Sequence, residues 1–185
     1  IPADSDDRFD KETLSFFYDK WINLTNLEKN NFSGINVLCK DNIKGEVVGD
    51  MYPSNYFKTN LLDLTYKYKI HGEKWGCIRL DLLKKYPYPE IIGRGSYILS
   101  YTWFSLSKNY SILCFNKILR TYYIDSESIT NQKNFIKKRI RESETRVHFI
   151  RWHFENNAVY LVKNSPIDFF KLILAYINFW LYSTN

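Results

Sequence analysis

Cysteine is scarce in this sequence: Cys39, Cys77 and Cys114 are the three in 185 residues. An odd number at wide spacing excludes a disulfide framework and fits no zinc-ligand pattern, so reduced thiols are expected. Long apolar runs are missing too. The longest uncharged one, Leu172 to Tyr182, falls short of the roughly 20 residues that a spanning helix needs. The first residues are acidic rather than basic and apolar, which is not a secretory signal. His148 and His153 stand five apart and share no helical face, which argues against a metal pair there. Dedicated RNA motifs and zinc-finger spacings are absent, so no nucleic-acid partner is expected. The chain starts on Ile1 rather than Met, with the expectation that a further segment precedes it.

What is present is apolar, aromatic and basic. An apolar content of 45% excludes intrinsic disorder, and the length suits one domain with a sizeable core. Aromatic residues make up 18%, which fits either contact with something flat and hydroxylated or an aromatic-rich core. The net charge is +6. Yet Asp4, Asp6, Asp7 and Asp10 crowd together directly behind Ile1-Pro2-Ala3. Their repulsion must be relieved by a cation or by full solvation. A calcium loop starting at Asp4 would need Gly and Glu where Phe9 and Ser15 stand. An aspartyl-nucleophile phosphatase would usually want Thr or Val at the position of Arg8, and it stays a competitor. The third reading is a D-x-D turn whose carboxylates could hold Mg²⁺ or Mn²⁺ on a diphosphate. The competing account is a solvated terminus.

Asp10 is placed to cap a helix running to about Asn30, with Leu14, Phe17, Trp21, Leu24 and Leu27 as its apolar stripe. Gly34 is expected to stop it, and "INVLCKD" reads as a strand. After Gly45, Gly49 and Pro53, the stretch from Thr59 reads as helix, a turn at Gly72, strand and short helix, ended by Pro87 and Pro89. "YILSYTWFSLSKNY" has helical period, and "SILCFNKILRTYYID" reads as two short strands or a strand and its return. Residues 131–157 form a long basic helical stretch; a turn follows, then a helix from Ser165 to Ser183 with Ser165 as N-cap and Pro166 first. An α/β fold is expected over residues 1–130, followed by a helical extension over 131–185.

"ADSDDRFDKETL" resembles the Asp-Ser-Asp-Asp turn of family 2 glycosyltransferases of the GT-A fold. "LLDLTYKYKIHGEKWGCIRLDLLKKYPYPE" is similar to their acceptor-side segment, with its "GEK" turn, Arg-x-Asp and closing "YPYPE". "SYTWFSLSKNYSILCFNKILRTYYIDSESIT" looks like the helix that succeeds it and the "LR-x-YY" return. Three motifs in that order cover roughly residues 1–130. The resemblance implies a GT-A-like mixed sheet flanked by helices, without the nucleotide-binding strands that precede the acidic turn in that family. It implies transfer of a sugar from a nucleotide-diphosphate sugar to the hydroxyl of a glycan or lipid-linked acceptor, with inversion. Asp6, with Asp4 or Asp7, would hold Mg²⁺ or Mn²⁺ on the diphosphate. Family members carry an acidic residue on the helix that reads "YILSYTWF" here, yet no carboxylate lies between Ile91 and Asn109. Glu90 is the nearest candidate base. Arg79 would line the acceptor cleft or pair with its neighbours; Trp75 and Trp103 would stack on a sugar or pack in the core. With the nucleotide grip expected upstream of Ile1, the chain alone is expected to have little transferase activity.

A rival reading is a non-catalytic basic module for nucleic acid or acidic lipid driven by residues 131–151, or an inactive relative of the transferases; acidic residues at the mouth of a site argue for the enzyme. The final helix could sit at a lipid interface, making the protein peripheral at the inner membrane face of the cytoplasm. It could equally pack on the domain or on a partner subunit, and packing is favoured because Lys171 is its one cation.

Overall fold

The computed structural model describes residues 7–87, 100–123 and 135–183. They divide into two compact units, one holding residues 7–87 and 102–123 and the other residues 100–101 and 135–183. The first is mixed α/β and is built on two long strands, β2 (Phe32–Asp41) and β5 (Ser111–Tyr122). These pair in parallel. Both are rich in apolar residues, and β2 is buried over most of its length and β5 over half of it, as strands covered on two faces are. On β2, Ile35, Val37 and Cys39 enter a core with Phe17, Trp75, Leu113, Phe115 and Leu119. Leu38 points to the opposite face, where Tyr52, Leu64, Ile112 and Cys114 make a second cluster. That is the period-two alternation of a strand.

β4 (Lys74–Ile78) pairs antiparallel with β2. β5 is antiparallel to β1 (Arg8–Phe9) in its second half and to β3 (Phe57–Thr59) in its first. The sheet is therefore mixed. Ser111 to Tyr122 is one uninterrupted strand, where the sequence left open a strand and its return.

The expected helix from Asp10 to Asn30 is instead two, α1 (Thr13–Ile22) and α2 (Asn26–Asn31). Thr25 is extended, its hydroxyl accepts the Glu28 N–H at 3.2 Å, and the Glu28 carboxylate accepts the Thr25 N–H at 3.1 Å. A capping box inside the apolar stripe thus restarts the helix. Asp10 is not the cap; Glu12 precedes α1 and makes no side-chain capping bond. Gly34 stops no helix either, because it lies within β2. A Cβ on Gly34 would lie 2.0 Å from the Cys77 carbonyl oxygen, and one on Gly76 would lie 1.8 Å from that of Ile35. Both glycines permit β2 and β4 to approach. Gly76→Ala should destabilise this unit by about 1–3 kcal/mol through backbone displacement, read from urea denaturation; an unchanged midpoint would refute that role.

Between β3 and β4 the helical turn is π-type over Asp63–Lys67. α3 (Leu80–Lys85) follows β4, and α4 (Ser100–Leu106) precedes β5.

The second unit contains α5 (Phe135–Asn164) and α6 (Pro166–Ser183), joined by Ser165 alone. The expected turn after Asn157 is absent. The side chains of Asn156 and Asn164 donate to the carbonyls of Trp152 at 2.8 Å and Tyr160 at 2.9 Å, four residues back. Satisfied in this way, they do not compete with the helix backbone. Ser165 does start α6: the Phe169 N–H reaches its carbonyl at 3.1 Å, and its hydroxyl donates to Asp168 Oδ2 at 2.5 Å. Phe154 packs on Phe169 and Tyr176, at ring separations of 5.4 and 6.4 Å. No helix among the described residues is long and apolar enough to cross a membrane.

Candidate functional site

Asp7 ends the acidic turn and leads into β1, which is held to β5 by the register Phe9↔Arg120 and by the Asp10 N–H on the Leu119 carbonyl at 3.1 Å. This brings Asp7 against Arg120. Arg120 donates to Asp7 Oδ2 from Nε at 2.6 Å and from Nη2 at 2.5 Å. Its Nη1 reaches Glu73 Oε1 at 3.0 Å. The Arg120 and Asp7 side chains are only 4% and 2% exposed. Charge-assisted bonds at such burial are strong, because water cannot replace them. Burial works against the Arg120 cation, but the hydrogen bond and charge of Asp7, with Glu73 adding to them, push its pKa above the ordinary arginine value.

Glu73 is held in place by an unusual crossing. Gly72 and Gly49 both have positive φ, 90° and 85°, and a Cβ on either would lie within 2.5 Å of the other's backbone. Only glycine suits both demands. Asp50 clasps the crossing: its N–H donates to the His71 carbonyl at 3.0 Å, and its carboxylate accepts the His71 N–H at 2.8 Å. Next along, Lys74 is half-buried, and that burial lowers its pKa.

The structure thus joins three of the singled-out motifs at one cluster: Asp7 from the acidic turn, Glu73 from "GEK" and Arg120 from "LRTYY". Asp4, Asp6 and Glu90 lie outside the described residues. Trp75 is a core residue, 6% exposed, with its ring stacked 4.6 Å from Phe9 and tilted against Phe17 at 5.6 Å. Trp103 is half-buried on α4. Arg79 is paired with Asp81 at 2.6 Å, and its Nη1 donates to the Lys29 carbonyl at 2.9 Å. Its arrangement ties the end of β4 to the last carbonyls of α2.

Arg120 and Glu73 were missed as partners for the acidic turn. The signal was an arginine inside an apolar strand, which needs a buried carboxylate. Burial raises the thiols of Cys39 and Cys114 to about 11 and about 12, so both stay protonated. Among the described residues no cluster of three or more His, Cys, Asp or Glu could hold a metal ion. Comparison with protein-family models, with curated proteins and with solved structures finds no match to the chain.

Proposed function

We propose that this chain is the acceptor-side part of a GT-A-like, metal-dependent glycosyltransferase that moves a sugar from a nucleotide-diphosphate donor to a hydroxyl of a glycan or lipid-linked acceptor, with inversion. The observation that carries the reading is the Asp7–Arg120–Glu73 cluster. Motifs separated by up to 113 positions in the chain meet there, which supports reading them as parts of one site. The mixed sheet is of the kind the resemblance implies.

The oxygen donors of the acidic turn suit a hard divalent cation. Asp7 Oδ2 faces two guanidinium nitrogens of Arg120, so Asp6, with Asp4 or the other oxygen of Asp7, is assigned to hold Mg²⁺ or Mn²⁺. Bound there, the cation would neutralise charge on the departing diphosphate. Glu90 is the carboxylate assigned to deprotonate the acceptor hydroxyl.

Calorimetric titration with pyrophosphate, the part of the donor that the acidic turn would hold, with and without Mn²⁺, tests this. Binding that needs Mn²⁺ and weakens roughly tenfold or more in Asp6→Asn is the expected result, since a diphosphate gripped through a cation depends on the cation's ligands. Binding that ignores both Mn²⁺ and Asp6 would overturn it.

A further inference from the structure

We infer that the outer face of α6 docks on an anionic lipid surface. Along this helix Ile167, Phe170, Leu174, Ile177 and Leu181 follow at steps of three and four, each between 50% and 70% exposed, with Trp180 beside them at 49%. A different side of α6 carries Phe169 and Tyr176 onto Phe154. Packing and an outward apolar stripe therefore use different residues of the same helix. A helix apolar on both sides belongs in a core, in a bilayer or at an interface. α6 is not buried, and it is too short and too little apolar to span. An orientation in the plane of the membrane, with the stripe immersed to the level of the headgroups, accommodates it.

Charge decides between lipid and a second copy of the chain. α5 and α6 carry eight Lys and Arg against four Asp and Glu, which is most of the protein's net +6. Like charge sets two such hairpins against each other, whereas it draws one to anionic headgroups. α6 itself adds nothing to that attraction, since its Lys171 lies 3.6 Å from its Asp168. The surplus comes from α5, which has seven Lys and Arg against three Glu. Arg146 and Arg151 are exposed but face Glu142 at 3.5 Å and Glu155 at 3.0 Å, and Lys163 is exposed near the end of the helix. One element supplies apolar insertion and its neighbour supplies the field, the two signals that stable peripheral binding takes. This inference stands apart from the chemistry proposed for the other unit.

Co-sedimentation of the full chain with vesicles of phosphatidylcholine alone, and of phosphatidylcholine mixed with phosphatidylglycerol, tests the docking. Binding should be at least roughly tenfold stronger to the mixed vesicles and should weaken with salt. Leu174→Glu/Ile177→Glu should lose it by a similar factor, with helical circular dichroism unchanged because both side chains are exposed. Equal pelleting of variant and wild type would overturn the inference, as would failure of the wild type to bind mixed vesicles. A stable dimer in sedimentation equilibrium that the double variant dissolves would assign the stripe to a second copy instead.

Discussion

Arg120→Met should lower the stability of the sheet-bearing unit by about 3–5 kcal/mol, because the Asp7 carboxylate, 2% exposed, would stay buried without its counter-charge. The cost comes from the abandoned partner more than from the lost bonds. Restoring balance should therefore restore stability: Asp7→Asn/Arg120→Met removes both charges and should recover a large part of the loss. An exposed pair provides the contrast. Arg151 and Glu155 are 69% and 58% exposed, and Arg151→Met should change stability by less than about 1 kcal/mol. Urea denaturation of the four proteins measures all of this. A cost below about 1 kcal/mol for Arg120→Met would mean that the cluster is not the buried anchor described above.

The helical unit should lose stability in mild acid through His153. This residue is fully buried and shares a hydrogen bond of 3.0 Å with Asn157, near the rings of Phe149 and Trp152. Burial lowers its pKa from 6.5 to about 4. In the folded state it therefore stays neutral where the unfolded chain takes up a proton. Stability is fully present above about pH 6.5, falls as pH drops toward 4, and levels off below that. By pH 5 the loss is about 2 kcal/mol, approaching about 3 near pH 4. The carboxylates of Glu28, Asp41 and Asp81 also have lowered pKa values, through hydrogen bonds chiefly from Thr25, Lys44 and Arg79 respectively. Their contributions are lost only at lower pH, below their ordinary values. Thermal melts of wild type and His153→Leu at pH 7.5 and pH 5 separate the two windows. The variant should shift far less between those conditions; an equal shift would clear His153 of the effect.

Local signals in the sequence were read well where a single element decided them. Ser165 and Pro166 announced the start of α6, and the β-branched run after Gly34 announced β2. Errors came where one residue type serves two purposes. Gly34 looked like a helix stop, but its value lies in the approach of Cys77 from another strand, which no local pattern reveals. Thr25 and Glu28 spelled a capping box within a stripe whose spacing otherwise continued, and the box won. Asn156 and Asn157 looked like the end of α5, yet their side chains find partners one turn back. The candidate site was legible only as separate pieces. Asp7, the "GEK" turn and the "LRTYY" strand could each be picked out, but their meeting depends on strand order.

The pairing of β1 with β5 also dictates a sequence of events during biosynthesis. Asp7 is made first and Arg120 lies 113 positions later. Until the distal half of β5 leaves the ribosome, nothing that holds the acidic turn exists. At 5–20 residues per second the turn stays without its anchor for roughly 5–25 s. Closing so long a loop is entropically costly and favours late, slow assembly, as does a sheet whose central pair is parallel and distant in sequence. Until Arg120 has emerged, Asp4, Asp6, Asp7 and Asp10 would thus stand with no arginine clamp, and competence for the proposed chemistry would arrive only as β5 docks.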